Sequence, residues 1–337
     1  MIMPTIKQFQ LFLVALIFGF FLGPRVIEAL QRLQPNGEKF VATDERRGDI
    51  SAAGTLRGSV IEDPYKKLAL HAKSAYVLDV STRRKLYSLN GEARLPLASV
   101  TKVMTALVAT ELLSPEEKIT ITPLDILEEG DTGLYAGETW TFTDLLQFTL
   151  VASSNDGASA LARAVGAHLN NATSTTEAEN KKIFIKKMNE RALALGLSQT
   201  SFQNENGLDL EGGISGAYGS SRDMTMLFEY VFRKHPGIFA STASAGLDFQ
   251  SEDDVVHHVL NTNQNVESIS GIIGSKTGYT DFAGGNLVVI VDIGVDHPVI
   301  VVVLGSTRED RESDVKQLIA ATIETITNPS IPPHAKY

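Results

Sequence analysis

The chain has 337 residues, 43% of them hydrophobic and 21% charged, which is enough to bury one large core or two modest ones, as a globular enzyme does. A formal net charge of −10 argues against any role that depends on neutralising phosphates, so nucleic acid is set aside as a partner. The absence of cysteine removes disulfides, thiolate nucleophiles and Cys-ligated zinc together, and it fits an exported protein. The seven histidines form neither HExxH nor HxxEH. His257 and His258 fall in a polar stretch that reads as solvent-exposed loop, so neither a metal site nor a cofactor is expected.

In chain order, Lys7 precedes an apolar run from Leu11 to Gly23 that Pro24 and Arg25 close. About 13 apolar residues are short for a span of roughly 20 and suit the core of a signal peptide. No pair of small residues at A-x-A spacing follows, and residues 25–33 (RVIEALQRL) are able to continue the helix, which favours an uncleaved anchor. Residues 1–24 are therefore read as an N-terminal membrane anchor or signal segment. Residues 25–64 are polar, rich in glycine and charge, and without a sustained period, as a linker is.

The folded domain is expected over 65–329, with a tail at 330–337. It opens with a hairpin, 73–80 and 85–89, around the polar turn Ser81-Thr82-Arg83-Arg84. Residues 99–113 (SVTKVMTALVATELL) predict a largely buried helix, and further helices are predicted at 143–152, 156–169, 178–195, 221–234 and 309–326. Strand-like runs rich in Val and Ile lie at 271–279, 285–293 and 298–305. Strands, then helices, then strands and a terminal helix predict an α+β fold whose antiparallel sheet is formed by both chain ends, with a helical cluster between.

Three short motifs carry chemistry. In Ser99-Val100-Thr101-Lys102 the two polar side chains are three residues apart, so on a helix the amine shares a face with the hydroxyl. A serine hydroxyl is a poor nucleophile until a base takes its proton, and a lysine is able to do so once burial or a nearby cation depresses its pKa. Chance supplies the same spacing at Ser313 and Lys316. Context separates the two, because Lys102 is the one charge in an apolar helix until Glu111. Ser153-Ser154-Asn155 lies in the break between two predicted helices; a hydroxyl and a carboxamide there suit proton relay and a hold on the substrate amide, while helix capping is the competing use of Asn155 and Asp156. Ser88 and Asn90 repeat this spacing by chance. Lys276-Thr277-Gly278 reads as part of an edge strand, where the glycine admits a substrate backbone and the ammonium and hydroxyl suit a carboxylate. A phosphate loop is excluded, since no GxxxxG precedes it and no helix follows.

Each motif is weak alone, but SxxK, SxN and KTG in this order form the signature of β-lactamases and penicillin-binding proteins. From about Lys73 to about Ile319 the chain resembles the serine D-Ala-D-Ala carboxypeptidases, the low-molecular-mass penicillin-binding proteins. Similar stretches include 96–105, 129–138, 202–208 and 221–224. The resemblance implies a β-lactamase/transpeptidase-like domain that removes the terminal D-Ala of peptidoglycan stem pentapeptides and is blocked covalently by β-lactams. It implies acylation of Ser99 with Lys102 as base, and Ser153 and Asn155 on the second wall. Lys276, Thr277, Gly278 and Arg311 would face the terminal carboxylate, and the backbone N–H groups of Ser99 and Tyr279 would form the oxyanion hole. The expected location is the outer face of the bacterial cytoplasmic membrane or the periplasm, by a single-pass anchor or after cleavage.

Three departures stand out. Ser154 replaces the family's usual glycine, Glu205 replaces a usual proline, and the chain's end leaves no room for the β-rich second domain and C-terminal anchor of many relatives. Three other activities compete with carboxypeptidase. A β-lactamase would need a placed carboxylate, for which Glu205 is a superficial match. A D,D-endopeptidase would cut the same bond type in cross-links, and a non-turnover penicillin- or wall-binding protein would share the constellation without hydrolysis.

Overall fold

Alternation with a period of two divides the Val- and Ile-rich end of the chain between two cores. In the computed structural model, which describes residues 62–130, 132–170 and 176–328, the strands are β1 (Ser74–Asp79), β2 (Arg84–Leu89), β3 (Gly246–Gln250), β4 (Val256–Leu260), β5 (Ile272–Thr280), β6 (Gly284–Asp292) and β7 (Pro298–Ser306). The helices are α1 (Lys102–Thr110), α2 (Phe142–Val151), α3 (Asn155–Leu169), α4 (Glu177–Ala194), α5 (Ser221–Lys234) and α6 (Arg311–Thr327). All described residues belong to one unit, Ser59–Tyr337. The leader 1–24, most of the linker 25–64 and the tail 330–337 lie outside the described residues. Among the described residues no helix is long and apolar enough to cross a membrane.

Five strands form one antiparallel sheet in the order β5-β6-β7-β1-β2, so the first hairpin of the domain docks on its last strand, with Val77 opposite Val301. This is the predicted α+β arrangement with both chain ends in the sheet. Val288, Ile290, Ile300, Val302 and Leu304 face the helical cluster. Their neighbours Leu287, Val289, Val291, Val299, Val301 and Val303 face the other way, onto Val315 and Leu318 of α6. With both faces covered, β6 and β7 read as unbroken apolar runs rather than as alternating ones. Tyr65 closes the α6 side, stacked on Tyr87 at 5.0 Å with its hydroxyl 2.8 Å from Thr322 Oγ1.

Two expectations need correction. The helix predicted from Ser99 starts later: residues Ala98–Thr101 form a tight 3₁₀ turn and α1 begins at Lys102. At the head of this turn stands Ala98, whose φ of 47° is left-handed. The second concerns His257 and His258, which are not loop. They lie in β4, paired with β3, and the pleat sends one inward and the other out. His257 is buried among Trp140 and Phe148, its Nε2 2.9 Å from Glu138 Oε1, whereas His258 is exposed. A polar residue at the inward position hid the strand from a hydrophobic-pattern reading.

Helices α3 and α4 cross where Gly166 meets the backbone of Asn180, and a Cβ on Gly166 would fall on the Asn180 carbonyl. Gly166→Ala is expected to destabilise the domain by about 1–3 kcal/mol through this overpacking, read as a lower midpoint of urea unfolding.

Candidate active site

The turn that carries Ser99 is clamped from several sides. On one side, a Cβ added to Gly278 of β5 would stand 2.8 Å from Leu97 O and 3.2 Å from Ser99 N, so only glycine lets the edge strand lie this close. On another, Gly207, at a φ of 85°, packs against the carbonyl of Ala98 with no space for a side chain. Asn286 of β6, fully buried, donates Nδ2 to both Pro96 O and Leu97 O at 3.0 Å and accepts from Gly305 N through Oδ1. These contacts hold Ala98 in a conformation it would otherwise avoid. Ser99 itself remains half-buried.

Lys102 lies one turn on, with no exposed surface. Its Nζ donates to Ser99 Oγ at 2.8 Å, to Asn155 Oδ1 at 2.6 Å and to the Asn206 carbonyl at 3.0 Å. Burial is the main force on this amine and brings its pKa down to about 7, against the opposing pull of Glu205, Glu128 and Asp156. Two of its three acceptors are carbonyl oxygens, which cannot donate. When the amine is neutral, its two protons stay on those carbonyls and its lone pair faces the Ser99 hydroxyl.

A second amine stands on the facing wall. Lys276 of β5 donates to Ser153 Oγ at 2.8 Å and to Thr277 O at 3.0 Å. Its pKa is well below the ordinary lysine value, first because of burial and then because of the charges on Lys102 and Arg311. Ser153 occupies the break between α2 and α3 with a φ of 58°, a left-handed position that aims its hydroxyl toward β5. Thr277 Oγ1 is 2.7 Å from Thr262 Oγ1. Arg311 opens α6 and is 8% exposed; its Nη1 donates to Gly278 O at 3.0 Å, and its Nε has no partner among the described residues. Tyr279 follows Gly278 on the strand with an exposed ring under the Arg308 guanidinium. The structure thus gathers Ser99, Lys102, Ser153, Asn155, Lys276, Thr277, Gly278, Tyr279 and Arg311 around the edge of β5.

Asn155 and its neighbours differ from expectation in detail. Both ends of the Asn155 carboxamide are engaged within the protein, Oδ1 on Lys102 and Nδ2 on Glu129 O at 2.5 Å, so here it orients the amine rather than standing open to a substrate amide. The helix cap is neither Asn155 nor Asp156 but Ser154, whose Oγ accepts from Gly157 N at 2.9 Å. Ser313 and Lys316 are exposed on α6, as expected of a chance match. Glu205 does not stand free for water activation: it is buried, with Oε1 3.2 Å from Lys181 Nζ. Asn206, Asn286, Glu128 and Lys181 escaped the sequence reading because they reach the site only through long-range contacts. Among the described residues, no three acidic or histidine side chains gather to hold a metal.

Comparison with known proteins gives the family and the fold. A family model described as D-alanyl-D-alanine carboxypeptidase matches residues 61–308. The chain belongs to the D-alanyl-D-alanine carboxypeptidase family of serine peptidases. It is 32% identical over 260 residues to D-alanyl-D-alanine carboxypeptidase DacF of Bacillus subtilis (strain 168), covering 75% of this chain and 62% of that relative. The chain thus spans less than two thirds of that relative's length. It is 33% identical over 223 residues to a D-alanyl-D-alanine endopeptidase of Haemophilus influenzae, covering 65% of this chain and 70% of the relative. Its fold matches the crystal structure of penicillin-binding protein D2 from Listeria monocytogenes in the ampicillin-bound form, with a TM-score of 0.62 and 29% identity over 75% of this chain and 98% of that one.

The cap gives a direct check on the family's usual glycine at position 154. Ser154→Gly is expected to lower stability by only a few tenths of a kcal/mol, and Ser154→Ala by about 1 kcal/mol, measured by denaturant unfolding.

Proposed function

We propose that this chain removes the terminal D-alanine from peptidoglycan stem pentapeptides through an acyl-enzyme on Ser99. The observation that carries this reading is the buried Lys102 amine, 2.8 Å from Ser99 Oγ and tied by its other contacts to two carbonyl oxygens. With a pKa of about 7, an appreciable fraction of Lys102 is neutral at neutral pH and available as a base.

In the proposed cycle Ser99 Oγ attacks the carbonyl between the last two D-alanines while its proton passes to Lys102. The backbone N–H groups of Ser99 and Tyr279 take the charge that develops on the carbonyl oxygen. The tetrahedral intermediate then breaks the C–N bond, and the departing amine of D-alanine receives the proton held by Lys102, relayed through Ser153, which leaves Lys102 neutral again. Water attacks the ester in the second half, giving its proton to the same base and restoring Ser99. Lys276, Thr277 and Arg311 form the cationic end of the cleft for the terminal carboxylate, and Gly278 lets the substrate backbone lie along β5. Asn155 keeps Lys102 aimed at Ser99. A β-lactam carries a carboxylate and a strained amide in the same relation, so it would acylate Ser99 and act as a covalent inhibitor.

The apolar run at 11–23 supports a place at the outer face of the bacterial cytoplasmic membrane or in the periplasm, by a single-pass anchor or after cleavage. A second reading, D,D-endopeptidase action on cross-links, is favoured by the similarity to a protein of that name. The bond is the same, and only the leaving group is larger.

The full chain is expected to release D-alanine from a pentapeptide ending in D-Ala-D-Ala. Ser99→Ala and Lys102→Arg are both expected to be inactive, because nothing else supplies the nucleophile and a guanidinium is no base near neutral pH. Release that persists in Ser99→Ala contradicts the assignment. Cleavage of cross-linked peptides without release from the pentapeptide moves the activity to the endopeptidase.

A further inference from the structure

The loop bearing Glu205 and Asn206 is fastened to α1 by two successive carbonyls. Glu205 O accepts from Thr105 Oγ1 at 2.5 Å, and Asn206 O accepts from Lys102 Nζ at 3.0 Å. The Asn206 side chain is held at both ends: Nδ2 donates to Glu128 Oε2 at 3.0 Å, and Oδ1 accepts from Leu208 N at 2.9 Å. Glu128 in turn lies 2.7 Å from Lys181 Nζ of α4, and the same Nζ lies 3.2 Å from Glu205 Oε1. Three segments distant in sequence thus meet in one carboxylate–ammonium–carboxylate cluster behind the catalytic lysine. The Glu205 side chain is 4% exposed. A buried ion pair is poor value for stability alone, since an apolar substitute of similar volume is often as stable. Its presence behind one of the two carbonyls that hold the Lys102 amine therefore calls for another cause.

We propose that the Glu128–Lys181–Glu205 cluster is a positioning device for Lys102: it fixes the Asn206 carbonyl against the amine and supplies the negative field in which that amine exchanges its proton with Ser99. Helix α1 carries no other charge, so the groups that face Lys102 come from its neighbours. They are Glu205, Glu128 and Asp156 on one side, and Lys276 of β5 on the other. Burial pulls Lys102 down, and the three carboxylates, Glu205 foremost, pull it back up to about 7. Lys181 stays charged between its two partners: burial alone would lower its pKa, but Glu205 and Glu128 together raise it above the ordinary value. In this arrangement the departure from the family's usual proline at position 205 is a tuning element.

Removing a negative charge that favours the ammonium lowers the Lys102 pKa, so Glu205→Gln, close in shape and still able to accept from Lys181, shifts its titration to lower pH. The proposal rests on Lys102 being the base of the reaction described above, and its test is chosen to stand apart from that reading. In the full chain labelled with 13C at the lysine ε-carbon, the Lys102 signal, assigned by its loss in Lys102→Met, is titrated in wild type, Glu205→Gln and Glu128→Gln. The expected result is a downward shift on the order of one pH unit in the Gln variants. Glu128, at the partly exposed end of the cluster, carries the test should Glu205→Gln fail to fold. A titration unmoved in the folded variants, with only the unfolding temperature lowered, overturns the proposal and leaves the cluster a purely structural feature. A shift in the Gln variants, when no β-lactam acylates the wild type, supports the cluster while refuting the functional reading.

Discussion

A lysine amine without access to water has to find its hydrogen-bond partners inside the protein, and most of this domain is arranged around that requirement. Leaving such a group unpaired costs several kcal/mol. Lys102 meets the demand with one oxygen from its own turn, Ser99 Oγ, one from the start of α3, Asn155 Oδ1, and one from the 204–208 loop, the Asn206 carbonyl. No two of these three segments are adjacent in sequence, so the helical cluster has to be packed before the amine is satisfied. The chemistry follows from the same inventory. Two partners are acceptors only, and the third is a hydroxyl able to act as donor or acceptor, so proton loss from the amine turns its lone pair toward that hydroxyl.

The edge of the sheet supplies the other half of the site. β5 has one neighbouring strand, β6, so its outer edge is available to an extended peptide while its inner side is braced by the sheet. Gly278 brings this edge against the nucleophile turn, and Asn286, one strand further in, ties the turn to the sheet through two carbonyls. Ser99, Ser153 and the edge strand are therefore held by rigid elements, and the left-handed backbones of Ala98 and Ser153 are sustained by packing rather than by local preference. Burial first, and then the charges of Lys102 and Arg311, depress the Lys276 pKa, and an anion at that end of the cleft would favour its charged form.

Much of the fold was legible because its elements are long and periodic. The strands at 271–305, the opening hairpin and the helices at 156–169, 178–195, 221–234 and 309–326 lie within a few residues of the observed ones. The pairs proposed to carry the chemistry were legible for a related reason: Ser99 with Lys102, and Lys276 with Thr277 and Gly278, are local in sequence, so spacing alone brings them together. What depends on contacts between distant segments was not legible. Asn286, Asn206 and the Lys181 ion pairs carry no local pattern, and Glu205 suggested a water-activating carboxylate until its pairing with Lys181 was seen. Nor does a sequence period report a left-handed alanine, which is why the helix was drawn from Ser99 rather than from Lys102. His257 was misplaced because an inward-facing polar residue breaks the hydrophobic alternation that marks a strand, and its partner Glu138 lies more than a hundred residues away.

The proposed chemistry requires a neutral Lys102 at physiological pH, and the most direct test is the rate of Ser99 acylation by a chromogenic β-lactam as a function of pH, measured on the full chain. The rate is expected to rise with pH and reach half its plateau near pH 7, where burial has placed the amine's proton equilibrium. A rate that keeps climbing toward pH 10, the ordinary range of a lysine, or one that is flat across neutrality, would contradict Lys102 as the base.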